Sequence, residues 1–349
     1  MITSNFKWLY PRNKTLKIFK RLSSTSNATA ILLLNMGGPA NSDQVHSFLL
    51  NLFSDNDLIP LPFQKYLGPL IAKRRTPSII QQYNEIGGGS PIRMWTEKQG
   101  EALVKILDKI NPETAPHTPY VAFRYAPPLT AETLQQMKKD GIKRAVAFSL
   151  YPQYSCSTTG SSLNELSRQL KIVDPENSIK WSVIDRWHSH PSLAQAFANK
   201  ITEKLSEYNE QDRQDVTILF SAHSLPMTVV NRGDPYPAEV AATVQKVMEN
   251  LKFSNPYRLI WQSQVGPQPW LGPQTGTVIE NYGKQGKKNL LIVPIAFVSD
   301  HIETLFEIDL EYGEVAHKHG ISGFKRAESM NDDPMFIKAL GNLSLQLCY

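Results

Sequence analysis

The chain has 349 residues, of which 41% are hydrophobic and 20% are charged, enough for two domains or one large α/β unit. Two cysteines, Cys156 and Cys348, are too few for a disulfide framework or a zinc-finger pattern, which indicates a reducing compartment. No apolar run approaches the roughly 18 residues of a membrane span.

The net charge of +5 comes from the amino terminus, where six Lys and Arg residues precede the first acid, Asp43. The remaining 31 basic and 32 acidic residues balance, so the body of the chain gives no indication of nucleic-acid binding. Residues 1–29 are basic, acid-free and rich in Ser, Thr and Asn. They lack a secretory apolar core and predict a mitochondrial transit segment; a disordered basic tail is the alternative.

From residue 30 onward, apolar strands alternate with helical patterns. Strands are predicted at 30–36, 119–125, 144–151, 179–184, 216–223, 257–263 and 290–298, with helices at 43–52, at 130–140 and from about 162. Two such series predict an α/β protein with two similar doubly wound, Rossmann-like domains that have parallel sheets. We place these domains at 30–187 and 188–324, followed by a C-terminal helical segment at 325–349.

Several unusual side chains follow the predicted strands directly. They are Asn35, Met36, Arg124, Tyr125, Tyr151, His223, Gln262, Ser263 and His301. Because ligands of open α/β sheets bind beyond the carboxyl ends of the strands, this clustering predicts a cleft between the two domains. Taken singly, His223 is also compatible with a hydrogen-bonded core histidine, and Arg124 with Tyr125 is compatible with an interdomain salt bridge and packing pair.

Two segments of the first half have alternative interpretations. The run Gly87-Gly88-Gly89-Ser90, with Arg74 and Arg75 upstream, suits a carboxylate or a plain flexible turn, but it lacks the pattern of a phosphate loop. Residues 51–75 mix apolar residues with a terminal basic cluster. This segment predicts a lip that touches a membrane or an apolar ligand, or else a helical hairpin packed on the core.

Segment 293–314, VPIAFVSDHIETLFEIDLEYGE, carries the most distinctive pattern. A buried strand turns at Ser299-Asp300 into a helix, on which Glu303, Glu307, Glu311 and Glu314 follow helical spacing. Six acids and no Lys or Arg lie between residues 299 and 317, although like charges four apart destabilise a helix. With His301 at its head, this column favours binding or passage of a divalent cation such as iron. The alternative is an Asp300–Glu303 capping box on a solvated face.

Nine sequence runs resemble ferrochelatases of the mitochondrial eukaryotic type, over roughly residues 30–345. The runs are LLLNMGGP, AKRRTP, QYNEIGGGSPI, FRYAPPLT, YPQYSCSTTGSS, ILFSAHSLPM, VVNRGDPYPAEV, WQSQVGPQPWLGPQT and PIAFVSDHIETLFEID, of which SAHSLP and SDHIETLFE are highly specific. The resemblance implies the chelatase fold, with a porphyrin cleft between two Rossmann-like domains. It also implies a lyase activity: insertion of Fe²⁺ into protoporphyrin IX, the last step of haem biosynthesis.

The same resemblance implies roles for individual residues. His223 would act as the base for pyrrole protons, paired with Glu303, with His301 and Phe297 completing the surround. The opposite face of the macrocycle would meet Asn35, Met36, Arg124 and Tyr125, and the propionates would meet Arg75, Tyr83 and Ser90. The pocket would be shaped by Tyr151, Trp187, Gln262, Ser263 and Trp270. Fe²⁺ would pass along His223, Glu303, Glu307 and Glu311, in a helix that is locally π-wound in the family.

These residue types suit the chemistry. A base with a pKa near neutrality is useful for removing pyrrole protons, and histidine is the natural one. Iron must be released to the ring, so few, weak ligands are preferable to a closed tetrahedral cage. Aromatic walls and propionate clamps fit an apolar macrocycle that has to be bent.

The resemblance also bears on cofactors and partners. Many animal members carry a two-iron two-sulfur cluster held by four cysteines, whereas this sequence offers Cys156 and no Cys-rich tail. We therefore expect no cluster and no permanently bound cofactor, as in the cluster-free fungal kind, and interpret Cys156 as structural and His190 as a loop residue. The resemblance implies that the substrates are Fe²⁺ and protoporphyrin IX, and that the protein is a homodimer, peripherally bound to the matrix side of the inner membrane.

Three alternatives are weighed against this function. A non-catalytic porphyrin or haem carrier needs neither the His223–Glu303 pair nor the acidic column. A chelatase for another tetrapyrrole, such as coproporphyrin, fits the transit segment and the apolar lip less well. A zinc hydrolase would require an HExxH motif or a comparable ligand set, which the sequence lacks.

Overall fold

A computed structural model describes residues 28–59 and 61–346, and shows two four-stranded sheets with every strand pair parallel. The first sheet has the order β2-β1-β3-β4 and the second has the order β6-β5-β7-β8, so the two halves repeat one topology. The strands are β1 (Thr29–Asn35), β2 (His117–Phe123), β3 (Arg144–Ser149), β4 (Lys180–Ile184), β5 (Thr217–His223), β6 (Tyr257–Gln262), β7 (Asn289–Pro294) and β8 (Gly323–Arg326).

Helices connect and cover these strands. They are α1 (Val45–Phe53), α2 (Gln64–Glu85), α3 (Ile92–Ile110), α4 (Thr130–Lys139), α5 (Ser161–Val173), α6 (Pro191–Ser206), α7 (Met227–Val230), α8 (Tyr236–Asn250), α9 (Thr275–Lys284), α10 (Gly313–Lys318) and α11 (Pro334–Leu345). Short 3₁₀ turns lie at Ser42–Gln44, Pro112–Thr114 and Arg213–Asp215. Two segments are π-helical, π1 (Cys156–Gly160) and π2 (Glu303–Tyr312).

The predicted α/β class with parallel sheets is confirmed, and so is the π-wound helix over the acidic column. One strand was missed, because the four half-buried residues of β8 form no apolar run. The predicted strand 290–298 ends at Pro294, and residues 295–302 form the connection to π2. The predicted helix at 43–52 begins as a 3₁₀ turn and continues as α1.

One hydrophobic core joins the two halves. Leu33 of β1 and Leu107 of α3 belong to the same buried cluster as Phe220 of β5, Val293 of β7 and Phe336 of α11. Burial of these aliphatic and aromatic side chains is the main stabilising contribution to the fold. The limits of the two predicted domains stay a prediction. In the part of the chain that the structure describes, no helix is long and apolar enough to cross a membrane.

Candidate active site

His223 is the last residue of β5, at the carboxyl edge of the second sheet. Its Nδ1 lies 2.6 Å from the carbonyl oxygen of Ser224, to which only a protonated Nδ1 can donate. The neutral ring therefore keeps its lone pair on Nε2, which lies 3.9 Å from Oε1 of Glu303. The side chain is 37% exposed, so this nitrogen is a base within reach of a ligand.

Glu303 begins π2 and holds a carboxylate that the protein leaves without full hydrogen bonding. Its side chain is 18% exposed, and no described residue donates a hydrogen bond to the buried Oε2. Burial raises the pKa of Glu303 to about 7, with the charge of His223 opposing and that of Glu307 adding to the increase. A largely buried carboxylate beside a histidine, with one oxygen that has no hydrogen-bond donor, is an arrangement typical of proton transfer or metal contact.

Three tyrosines from both halves of the molecule lie near Glu303. Burial raises the pKa values of Tyr83 on α2, Tyr151 after β3 and Tyr236 on α8, and the charge of Glu303 raises each of them further. Ile302, which precedes Glu303, packs with the cluster that contains Tyr83 and Tyr125. The Glu303 carboxylate thus lies where the two halves meet, as the cleft prediction requires.

His301 and Asp300 hold the start of π2 in place. The Nδ1 of His301 donates to the carbonyl oxygen of Ser299 at 3.0 Å, and its ring lies 4.7 Å from that of Phe297. Burial lowers the pKa of His301 to about 4, against the opposing charge of Asp300, so the ring is neutral at physiological pH. His301 is therefore a buried, neutral ring packed beside Phe297.

The capping-box alternative for Asp300 and Glu303 is wrong. The backbone N–H of Asp300 donates to Asn331, and its carboxylate accepts from Arg326, Ser329, Asn331 and Thr304. Arg326 on β8 also pairs with Asp309 at 2.7 Å. The missing counter-charge of the acidic segment thus comes from the strand that the sequence did not reveal, and it neutralises Asp300 and Asp309 rather than Glu303.

The rest of the acidic column is held differently at each position. Glu307 accepts three hydrogen bonds, from Ser263 at 2.6 Å, Tyr312 at 2.9 Å and Gln262 at 3.1 Å. Glu311 is exposed, and partial burial followed by the charge of Glu307 raises the pKa of its carboxyl. The column therefore runs from Glu303, whose Oε2 has no described donor, through the hydrogen-bonded Glu307 to Glu311 at the surface.

A second wall of the site is formed after β1, β2 and β3. Asn35 ends β1 and Met36 follows it; their carbonyl oxygens accept from the backbone N–H groups of Arg124 and Tyr125, at 2.9 and 3.0 Å. Tyr125 and Tyr151 line, with Met36 and Arg124, a cavity of about 30 Å³. The alternative interpretation of Arg124 as half of an interdomain salt bridge is wrong, because its partner is Asp55, from the turn after α1 in the same half.

The predicted propionate contacts lie at separate points of the first half. Arg75 is half-buried on α2, with its guanidinium 5.9 Å from the centre of the Phe53 ring. Ser90 follows the glycine run, and its backbone N–H donates to Pro39 at 2.8 Å. Gly89 has no room for a side chain, because a Cβ there would lie 2.2 Å from the carbonyl oxygen of Ala40. The end of the glycine run, at Gly89 and Ser90, is therefore in tight contact with the loop at Pro39 and Ala40.

Four further residues named in the sequence analysis lie outside the His223–Glu303 pair. Trp187 is a core residue whose ring packs on Phe148 and Phe336. Trp270 lies beside His223, 6.4 Å between ring centres, with a buried Nε1 that has no described partner. His190 caps α6 by accepting from the backbone of Ser192. Cys156 is exposed at the start of π1, and its backbone N–H donates to Asp234.

Sequence reasoning missed Asp55 and Tyr236. Asp55 is 4% exposed and joins Arg124 and Tyr125, but in the sequence it is only one acid in the turn-like run Ser54-Asp55-Asn56-Asp57. Tyr236 lies in VVNRGDPYPAEV, one of the runs that resembles the family, without a strand-end position to single it out. Among the described residues, no three His, Cys, Asp or Glu side chains form a group that could hold a metal ion.

Comparisons with known proteins agree with this geometry. The ferrochelatase family model matches residues 28–347. Mitochondrial ferrochelatase of Bos taurus is 60% identical over 316 residues, which cover 90% of this chain and 76% of that protein. Mitochondrial ferrochelatase of Drosophila melanogaster is 53% identical, over 93% of this chain and 85% of that protein. Mitochondrial ferrochelatase of Schizosaccharomyces pombe is also 53% identical, over 92% of this chain and 76% of that protein.

A solved structure supports the fold. SirB from Bacillus subtilis with Fe³⁺ superposes with a TM-score of 0.54, covering 91% of this chain and 94% of SirB, at 11% identity. At that identity the likeness concerns the fold alone. The family match spans nearly all described residues, and each relative named above shares more than half of the aligned positions. This chain therefore belongs to the ferrochelatase family, the mitochondrial lyases that insert Fe²⁺ into protoporphyrin IX in haem biosynthesis.

Proposed function

We propose that iron insertion takes place between the carboxyl edges of the two sheets, with His223 and Glu303 handling the protons and the metal. Fe²⁺ and protoporphyrin IX give protohaem and two protons; two pyrrole N–H bonds break, iron–nitrogen bonds form, and the iron remains ferrous. One observation supports this proposal most directly: Nε2 of His223 keeps its lone pair and lies 3.9 Å from Oε1 of Glu303, and no described residue donates a hydrogen bond to Oε2 of the same carboxylate.

The two groups divide the work by their environments. Nε2 of His223 accepts a pyrrole proton, and the Nδ1–H bond to Ser224 fixes the ring orientation and stabilises the resulting imidazolium. Glu303, with a pKa of about 7, can take a proton or contact Fe²⁺ and give either up again. Glu307 and Glu311 are proposed to pass Fe²⁺ toward this pair, Glu311 from the surface.

The macrocycle is proposed to lie between two walls. Asn35, Met36, Arg124, Tyr125 and Tyr151 form one wall, and Ser263, Phe297 and His301 belong to the other. Neutral His301 suits an apolar ring, because a charged imidazolium against it would be poorly solvated. Arg75, Tyr83 and Ser90 are the proposed propionate contacts.

The test is anaerobic insertion of Fe²⁺ into protoporphyrin IX by residues 30–349, followed by loss of porphyrin fluorescence. Multiple turnovers are expected. Tight porphyrin binding without turnover, for Fe²⁺ and Zn²⁺ alike, would make the protein a carrier. Turnover with coproporphyrin in preference to protoporphyrin would change the substrate assignment.

We also propose peripheral contact with the matrix face of the inner membrane, through the lip 51–75. Phe63, Tyr66 and Leu70 are 81%, 74% and 62% exposed. Phe63 immediately precedes α2, and the spacing of four residues places Tyr66 and Leu70 on one side of that helix. Lys65, Lys73 and Arg74 are exposed on the same helix. An apolar stripe flanked by cations is typical of an interfacial helix on anionic lipid. The homodimer stays a proposal by family resemblance.

Serine substitutions at Phe63, Tyr66 and Leu70 together should weaken binding to phosphatidylcholine–cardiolipin vesicles by at least about tenfold, because each side chain loses apolar transfer energy. Sedimentation with vesicles measures this. Ile172→Ser with Phe253→Ser is the matched control, since these side chains are also 72% and 49% exposed but lie elsewhere. Equal losses in the control would point to unspecific surface hydrophobicity.

We propose that the protein carries no iron–sulfur cluster. The sequence holds two cysteines, Cys156 and Cys348, of which Cys348 lies outside the described residues. Burial and the nearby Asp234 raise the pKa of the Cys156 thiol, whereas cluster ligands are thiolates. Cys156→Ser should therefore leave turnover within about twofold and change neither bound iron nor acid-labile sulfide. Stoichiometric sulfide that is lost in this variant would contradict the proposal.

A further inference from the structure

Asp55 is a buried carboxylate that the assigned chemistry does not use. It lies in the turn between α1 and the lip helix α2 and is 4% exposed. Its Oδ2 accepts from the hydroxyl of Tyr125 at 2.7 Å, from Nη2 of Arg124 at 3.1 Å, and from the hydroxyl of Ser161. Its Oδ1 accepts from the backbone N–H of Asp57 at 3.0 Å. Both carboxylate oxygens are therefore held.

These contacts converge on one wall of the site. Nε of Arg124 also donates to Ser161 at 3.0 Å, so Asp55, Arg124 and Ser161 form a closed triangle at the start of α5. The Arg124 guanidinium lies 5.1 Å from the centre of the Tyr125 ring. The Asp55 carboxylate therefore fixes the positions of the Arg124 and Tyr125 side chains.

Asp55 also determines the charge of this wall. The Arg124 side chain is 14% exposed, and no other acidic group among the described residues pairs with it. Burial would raise the pKa of Asp55, but hydrogen bonds from Ser161 and Tyr125 together with the charge of Arg124 hold it below its usual value. The pair is therefore ionised and neutral overall at physiological pH. A half-paired arginine there would present a cation to an apolar ring.

The lip segment also lines the small cavity beside Arg124 and Tyr125. Leu58, three residues after Asp55, lines it with Arg124, Tyr125, Met36 and Tyr151. The segment that carries the exposed lip stripe thus supplies both a lining side chain and the carboxylate behind the wall.

We propose that Asp55 is a positioning residue for the porphyrin: it orients Arg124 and Tyr125 and keeps their wall neutral, and so couples the lip to substrate placement. The proposal rests on the proposed placement of the macrocycle against this wall. Asp55 itself touches no reacting atom. The competing interpretation is a buried ion pair that serves stability alone.

Asp55→Asn tests this, because it keeps the side-chain size and removes the charge. We expect the KM for protoporphyrin IX to rise about tenfold, since charge-assisted hydrogen bonds to two wall side chains are weakened. The KM for Fe²⁺ should stay within about twofold, and the Soret band of the bound porphyrin should shift. A purely structural role would lower the amount of active protein without moving the KM ratio or the Soret band.

Asp57→Asn is the matched control. Asp57 lies in the same turn and contacts the same helix, through Asn164 at 3.0 Å and Arg168 at 3.7 Å, but on its outer side. This variant should keep the KM for porphyrin. Equal effects of the two substitutions would overturn the proposal in favour of a general loosening of the turn.

Ser161→Ala provides a second route if Asp55→Asn folds poorly. Ser161 is fully buried, so its loss acts on the substrate only through the side chains it contacts, Asp55, Arg124 and Tyr125. We expect about a threefold rise in the KM for porphyrin. In the double variant Asp55→Asn with Ser161→Ala, the rise in KM should be smaller than the product of the two single effects. Unchanged KM and Soret band in both single variants would overturn the proposal. His223→Ala, measured alongside, separates failure of the proposed proton chemistry from failure of this inference.

Discussion

Replacing His223 by alanine should abolish iron insertion, with kcat lower by about 10³-fold, while porphyrin binding persists. General-base catalysis contributes roughly 10²- to 10⁴-fold, and His223 is the strand-end base whose Nε2 is free and faces Glu303. Anaerobic Fe²⁺ insertion measured by loss of porphyrin fluorescence gives the rate. Quenching of the protein's tryptophan emission by added porphyrin checks that binding remains.

The matched control for this substitution is His319→Ala. The His319 ring has a similar environment, with Nδ1 at 2.9 Å from the carbonyl oxygen of Val315 and Nε2 at 3.8 Å from Glu280, but it lies after α10, outside the site. Its loss should leave turnover unchanged. Retained turnover in His223→Ala would remove this residue as the base.

Replacing Glu303 by glutamine should lower kcat by about 10²-fold and remove a pH dependence. With a pKa of about 7, Glu303 should make turnover rise as the pH increases through neutrality, because the ionised carboxylate attracts Fe²⁺ and accepts a proton. Glutamine does not ionise, so the acid limb near pH 7 should be missing from its profile. Measurement of kcat between about pH 6 and pH 8 decides this.

The same substitution should stabilise the fold above neutral pH. A carboxyl whose folded-state pKa exceeds its unfolded value contributes stability at low pH, and this contribution is lost as the pH rises through the folded-state pKa. A shift from 4.5 to about 7 corresponds to roughly 3 kcal/mol of unfolding free energy once Glu303 is ionised. The Tm of Glu303→Gln should exceed that of the unsubstituted protein at about pH 8, and the difference should shrink toward pH 5.

Glu314→Gln is the control for both measurements, because Glu314 is the exposed last acid of the column and has no proposed role in the Fe²⁺ path. It should change neither the pH profile nor the Tm. A normal Glu303→Gln together with loss of turnover in Glu307→Gln and Glu311→Gln would make the outer column the active element.

The strands and their ends were predictable because the physics is local. Each central strand is a run of branched apolar residues, and the functional side chains follow directly where the chain leaves the sheet, as His223 does after β5. β8 was not predicted because Gly323–Arg326 is short and half-buried at a sheet edge. Its Arg326 nevertheless neutralises Asp300 and Asp309. Pairing partners at such a distance along the chain leave no periodic signal.

The site was predictable as a set of positions but not as a network. Nothing in the sequence distinguishes Asp55 from Asp57. Asp55 is buried against Arg124, whereas Asp57 contacts Arg168 on the outer side of α5. Likewise the sequence does not show that Trp187, predicted to shape the pocket, is buried against Phe148 and Phe336 with its indole N–H donating to the carbonyl oxygen of Ser149. Burial decides both cases, and burial depends on which elements pack together in three dimensions.

The shared core has a consequence for the order in which the protein can mature. α11, the last helix, inserts Phe336 and Leu340 among side chains of α3 and α6, so the first half remains incomplete until the carboxyl end arrives. A chain delivered amino end first therefore cannot close this core early, although domains commonly fold in that direction during synthesis. Loss of α11 would therefore expose the apolar side chains of α3 and α6 that it covers, so a chain that ends before this helix should aggregate rather than fold.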